Sequence, residues 1–201
     1  MNLKTTCLLL STIAMVFRPI DMLSAEDDSA ILELLPRGMD TIDNTSAANL
    51  QRLVAMGEKA YPALAKELLR TTNPTIAGRI ISIFSESEGD KKIPRGALRK
   101  FLTERKSAFG DKGRIQMMAA NGLARIGERE DGALLQEMLR EEPAPVKIAA
   151  LRALAEIGGP ESVEFLKNWK TNRPKRDAAA IEFSVDSEVE KAVGAIDRRR
   201  P

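Results

Sequence analysis

The chain has 201 residues, a length that suits one domain, and sets 31 lysines and arginines against 29 aspartates and glutamates. So even a balance gives no global pull toward nucleic acid or an anionic membrane. Histidine is absent and cysteine occurs once, which excludes a Ser-His-Asp triad and a histidine-bearing zinc site.

The first 25 residues read as a secretory signal peptide. Lys4 precedes the apolar run Cys7–Phe17, and Leu23-Ser24-Ala25 supplies a small-residue exit ahead of acidic Glu26-Asp27-Asp28. Cleavage is expected between Ala25 and Glu26. Arg18-Pro19 interrupts the run, so it falls short of the roughly 20 apolar residues that span a bilayer, and no stable membrane span is expected after removal. The expected destination is export, to a periplasm or the medium. Removal takes away Cys7, so the mature chain would have no thiol and would hold together by packing alone.

Residues 26–45 are predicted to form a capping helix and loop, with Ser29–Leu35 as half a repeat over the first full one. From there to Lys170 apolar residues recur at helical spacing, as in Leu50, Leu53, Val54 and again Leu64, Leu68, Leu69. Asn73-Pro74 offers an N-cap followed by proline in the first turn, Asp131 is placed to cap the run Gly132–Glu141, and Pro145 and Pro160 sit at helix starts. Gly57, Gly127 and Gly158 fall at helix ends, where glycine is expected to take the left-handed conformation.

These signals predict four helical hairpins in residues 46–170. They are Ser46–Met56 with Ala60–Arg70, Pro74–Ser85 with Pro94–Lys106, Arg114–Ile126 with Asp131–Glu141, and Val146–Ile157 with Pro160–Lys170. In the second, Ser85 takes the glycine's place and the turn is longer. Gly127 and Gly158 are 31 positions apart and sit in related surroundings. One hairpin cannot bury its apolar face alone, but a stack shares one core, so each copy must present the same apolar positions. Ala119, Ala120, Gly122, Ala149, Ala150 and Ala153 are expected to let helices approach, with Leu123, Ile126, Leu154 and Ile157 filling the seam. Residues 171–201 are predicted to be a cap or degenerate repeat with a basic tail: a short helix Asp177–Phe183, chosen over a strand through Ile181–Val185, then a second helix opened by the capping-box pattern Ser187-Glu-Val-Glu190.

The run Val146-Lys-Ile-Ala149-Ala150-Leu-Arg-Ala153-Leu154-Ala-Glu-Ile157-Gly158 resembles the V-R-x-x-A-A-x-A-L-x-x-I-G signature of the HEAT repeat superfamily, in particular the short HEAT-like repeats named after phycobilisome lyases. Lys147 stands where the family usually has arginine. Ile115–Gly127 matches less fully, with Gln116 at the basic position and Gly122 at a small one. The resemblance is specific over Arg114–Lys170, faint over Ser46–Lys106 and absent from the signal segment and the tail. It implies an all-α solenoid of four to five antiparallel hairpins, with the second helices lining a concave face. It does not imply lyase activity, because a fold is poor evidence of chemistry.

No catalytic constellation is legible, and neither a cofactor nor a metal is expected. The absence of histidine also removes the His-Glu di-iron centre of the deoxyhypusine hydroxylase branch. The carboxylates Glu141-Glu142 and Glu128/Glu130/Asp131 read as solvated turns, and Gly110-Asp-Lys-Gly113 is too short for a phosphate loop. The basic segment Lys167–Arg176, with Arg198–Arg200 beyond it, reads as a helix-end cluster in which Trp169 packs the last hairpin. The expected function is that of an exported, non-catalytic scaffold, monomeric, that binds another protein or peptide. Its candidate contacts are Lys66, Arg70, Arg99, Arg140, Lys167 and Lys170, a basic ladder on the second helices. Nucleic acid is not an expected partner. The alternatives are a lyase-like or chaperone subunit of a chromophore-handling system, and an anionic polymer bound by the basic C-terminal segment.

Overall fold

A computed structural model describes residues 28–35, 44–104, 113–173 and 179–199. The expected signal segment with Ala25 and Glu26, most of the Gly110–Gly113 loop, and Lys175, Arg176 and Arg200 lie outside them. Among the described residues every regular element is helical. In chain order these are α1 (Asp28–Glu33), α2 (Asn44–Met56), α3 (Tyr61–Arg70), α4 (Pro74–Ser85), α5 (Lys92–Glu104), α6 (Arg114–Ile126), α7 (Gly132–Glu141), α8 (Ala144–Ile157), α9 (Pro160–Asn172) and α10 (Ala179–Arg198), with 3₁₀ turns at Gly57–Lys59 and Arg129–Asp131.

The helices form two layers. The first helices pack in sequence, α2 on α4, α4 on α6, α6 on α8 and α8 on α10. Among the second helices α3 packs on α5 and α7 on α9, while α1 lies against α3, which makes it the half-repeat that closes the first hairpin. Close backbone contact joins each second helix to the first helix of the next hairpin, α3 to α4, α5 to α6, α7 to α8 and α9 to α10. One connected core runs from Ile31 through Leu123 and Leu154 to Ile196. This is an α-solenoid.

Local chemistry sets the boundaries. Asn73 caps α4 as expected, its Oδ1 accepting the amides of Thr75 at 2.9 Å and Ile76 at 3.4 Å. Helix α5 begins two residues before its expected start, where the Asp90 carboxylate accepts the Lys92 amide at 2.9 Å. The helix-end glycines divide into two kinds. Gly57 is left-handed, with φ 53°. Gly127 and Gly158 are not: with φ −74° and −64° and ψ 171° and 147° their backbone is extended. Glycine is needed there because a Cβ would strike the carbonyls of Leu123 and Leu154, the acceptors of the last bonds of α6 and α8.

The tail departs from expectation. Residues 179–198 form one helix, without a break between Phe183 and Ser187 and without a strand at Ile181–Val185. No glycine or proline falls between Ala179 and Val193, and Val185, Val189, Ala192 and Ile196 keep one apolar stripe buried against α8 and α9. The Ser187-Glu-Val-Glu190 pattern therefore lies inside a helix, where Glu188 pairs with Arg152 and Lys191 rather than capping anything.

The first-helix layer depends on small residues. Ala119, Ala120, Ala150, Ala153, Leu123 and Leu154 are inaccessible to solvent. A Cβ at Gly122 would stand 2.8 Å from Ser85 Oγ and 2.9 Å from Leu98 Cδ1. Gly122→Val is expected to force α4 and α5 away from α6 and to lower stability by about 1–3 kcal/mol. Urea unfolding followed by circular dichroism measures this, and an unchanged midpoint would contradict the packing described.

Candidate interaction face

The second helices carry the charges expected to form a basic ladder, and most of them already have acidic neighbours. Lys66 of α3 lies 3.6 Å from Asp28 of α1. Arg70 pairs with Glu67 one turn back, and Arg140 with Glu137 at 3.3 Å. Arg99 of α5 reaches Asp131 at 3.1 Å, and Lys170 of α9 reaches Glu190 of α10 at 2.6 Å. Lys167 is exposed on α9. The six cations are thus spread over a surface of mixed sign rather than gathered into one positive stripe.

Asp131 corrects the reading of its turn as solvated. It is completely buried, and its Oδ2 accepts the Glu128 amide at 2.9 Å while Arg99 approaches Oδ1. Nor does it cap α7: its side chain makes no such bond, and it turns back to close the preceding 3₁₀ turn. Burial raises its pKa above the ordinary 3.8, and Arg99 and Arg95 only partly offset that.

Between α7 and α9, two successive second helices, lies an open groove of about 330 Å³. It is lined by the aromatic side chains Phe165 and Trp169 together with Asn168, Asn172, Arg140 and Arg173. Asn172 Nδ2 donates to the backbone carbonyl of Asn168 at 3.1 Å and also to its side-chain Oδ1, which holds the two amides along one helix face. Arg173 lies 5.1 Å from the Trp169 ring centroid and is itself buried. It pairs with Glu182 and, at 2.9 Å, with Asp186, both on α10. Burial alone would lower the pKa of this guanidinium, but the hydrogen bonds it donates to Asp186 and Glu182 outweigh that and hold the pKa above its ordinary value.

Arg173 therefore clamps α10 to α9, and Trp169 packs there as expected. Arg199 ends α10 by donating to the carbonyls of Ala155 and Gly158, the latter at 3.1 Å, which satisfies the C-terminus of α8. Lys170, Arg173 and Arg199 are thus committed to intramolecular contacts, which weakens the anionic-polymer alternative. Sequence reasoning found Arg140 but missed Phe165, Asn168 and Asn172 as groove residues. Their signal was available: Asn168 and Asn172 sit at i, i+4, the spacing that puts two amides on one helix face.

Residues 108–183 match the family model of HEAT repeats. This segment belongs to the HEAT repeat superfamily, whose members commonly serve as protein-interaction scaffolds and are typically non-enzymatic. The match runs past Lys170 into α10, where no resemblance was expected, in agreement with the packing of α10 on α8 as the first helix of a further unit. Comparison with curated proteins and with solved structures finds no match. No helix among the described residues is long and apolar enough to cross a membrane.

Two predictions follow from these polar contacts. Arg173→Ala leaves acidic groups of α10 buried without their cation and is expected to cost about 3–5 kcal/mol, seen as faster amide exchange along α10 than in wild type. For Asp131, a raised folded pKa means that the native state binds the proton more tightly than the unfolded chain. Its contribution to stability therefore falls as pH rises from about 3.8 through the raised value, and levels off above it. The stability difference between wild type and Asp131→Asn, measured by urea unfolding from pH 3.5 to 8, is expected to follow that sign; a difference independent of pH would contradict it.

Proposed function

We propose that this chain is an exported, non-catalytic scaffold that holds another protein or peptide on its second-helix face, with the α7–α9 groove as the principal contact. The groove supports this reading because it combines two aromatic rings with two side-chain amides on a rigid helical floor. An amide offers both a donor and an acceptor, which suits the alternating groups of a peptide backbone, and the rings supply apolar area. Arg140 and Lys167 border this region, and Lys66, Arg70, Arg99 and Lys170 extend the contact as rim charges that steer a partner by exchanging their present acidic neighbours. The N-terminal apolar segment, ending at Ala25, supports export.

A photo-crosslinking residue placed at Asn168, with a matched control at exposed Asn121 on α6, tests the reading in the native cell. Mass spectrometry is expected to find one partner crosslinked from position 168 and not from 121. The paired change Asn168→Ala with Asn172→Ala is expected to reduce recovery of that partner at least threefold, and the recovered chain is expected to begin at Glu26. Equal crosslinking from both positions would remove the assignment of the face, and a chain recovered with residues 1–25 intact would remove export by cleavage.

A further inference from the structure

A more enclosed pocket of about 360 Å³ lies toward the other end of the stack, at the C-terminal end of α2, the start of α3 and the turn after α4. Val54, Ala55 and Ile83 form its apolar wall, Tyr61 lines it beside them, and Glu86-Ser87-Glu88 runs along its edge. Val54 remains 43 % exposed, one of few large aliphatic side chains left open among the described residues.

The polar groups here differ from those elsewhere in the molecule. Ser87 is 93 % buried, and its Oγ has no hydrogen-bond partner. A buried hydroxyl without a partner is costly, and a ligand donor would relieve that cost. Glu86 and Glu88 are exposed, and neither forms an ion pair among the described residues. Of the carboxylates at other turns, Glu128 pairs with Arg95, Asp131 with Arg99 and Glu161 with Arg129, while Glu130 forms no ion pair among the described residues. Glu58, beside the same turn, accepts the Asp90 amide at 2.8 Å.

Tyr61 packs edge-on to Phe84, with ring centroids 5.8 Å apart. Burial raises the pKa of its phenol. The neighbouring Ser87 hydroxyl pulls the other way without forming a hydrogen bond of ordinary geometry, and Glu58 and Glu88 add to the rise. Tyr61 is therefore a neutral wall of the pocket at physiological pH. The negative charge at the mouth belongs to Glu86 and Glu88.

We propose that this pocket binds the side chain of a lysine presented by a partner protein. The aliphatic stem lies along Val54, Ala55 and Ile83, and the ammonium group sits between Glu86 and Glu88, with Ser87 Oγ as its third acceptor. Two separate carboxylates and a hydroxyl offer three single acceptors, which matches the three donors of an ammonium better than the flat fork of a guanidinium. The site shares no residue with the α7–α9 groove, so either assignment can fail alone.

The test is a titration of the full ¹⁵N-labelled chain with N-acetyl-lysine methylamide, followed by amide chemical shifts. The norleucine and arginine analogues serve as comparisons. The lysine probe is expected to produce saturable shifts at Gly57 and residues 86–88, with the norleucine probe at least tenfold weaker because it lacks the charge. Glu86→Gln with Glu88→Gln is expected to weaken the lysine probe at least tenfold and leave the remaining spectrum unchanged. Asn168→Ala with Asn172→Ala is expected to change nothing here. Four results would each overturn the proposal: no saturable shift, equal binding of norleucine, tighter binding of arginine, or lysine binding indifferent to the glutamate changes.

Discussion

The contact on which the molecule depends is the close approach of α4, α6, α8 and α10 through alanine and glycine. Leu123 and Leu154 are completely buried, as are Ala119, Ala120, Ala150 and Ala153 around them. This burial does not come from one hairpin, because the residues that cover α6 lie on α4, α5 and α8, all outside its own hairpin. Burying one leucine is worth about 1.5–3 kcal/mol, while fixing each residue's backbone costs about 1–2 kcal/mol. A lone hairpin therefore stays unfavourable until its neighbours are in place. The same argument explains why α6 and α8 carry no aromatic residue: a ring between them would hold the helices apart.

Close packing of near-identical units leaves a problem of register, since one alanine-rich helix resembles another. Polar contacts that repeat at the length of the unit settle it. Arg129 binds Glu161 across 32 residues, and Glu58 accepts the Asp90 amide across the same separation. Arg99 and Asp131 are the same distance apart in sequence. Exposed pairs of this kind contribute about 0–1 kcal/mol each, so they do little to hold the stack together. Their value is that a shift by one turn would leave each without its partner. Asp131 goes further: its burial raises the cost of misplacing Arg99, and its bond to the Glu128 amide fixes the turn that launches α7.

Much of this was legible from the residues. Proline, glycine and asparagine mark the helix limits because each acts on backbone within a few positions, and apolar spacing marks the buried face because the helix period is fixed. The errors arose where distant residues decide. Ser187-Glu-Val-Glu190 looks like a helix start, yet the stripe Val185–Val189–Ala192–Ile196 buried on α8 keeps the helix continuous. Asp131 looks like a cap in a solvated turn until Arg99, from the preceding hairpin, is placed beside it. Gly127 and Gly158 were placed correctly for the wrong reason, because steric conflict with a carbonyl can demand glycine as firmly as a positive φ does. The candidate cations were located on their helices. The acidic partners of Arg70 and Arg140 lie one turn back, where the helix period points to them. Those of Lys66, Arg99 and Lys170 lie on other elements, where it gives no guide. Only for Arg99 was a complementary charge offset by about the repeat length available as a signal.

The two layers also divide the work of the fold. First helices are covered on both sides by other first helices, so their small residues face constraint from each neighbour. Second helices meet fewer of their own kind: α7 touches α9 lightly, and an open groove remains between them. Substitution on that face disturbs one contact rather than the shared core, which makes it the place where recognition can vary without loss of the stack. Phe165, Asn168 and Asn172 occupy that permissive layer, whereas Arg173, which also borders the groove, anchors α10 through Glu182 and Asp186. Under the proposed function α9 thus offers Asn168 and Asn172 to a partner while Arg173 closes the end of the solenoid. Substitutions at the two amides and at Arg173 should separate loss of binding from loss of stability.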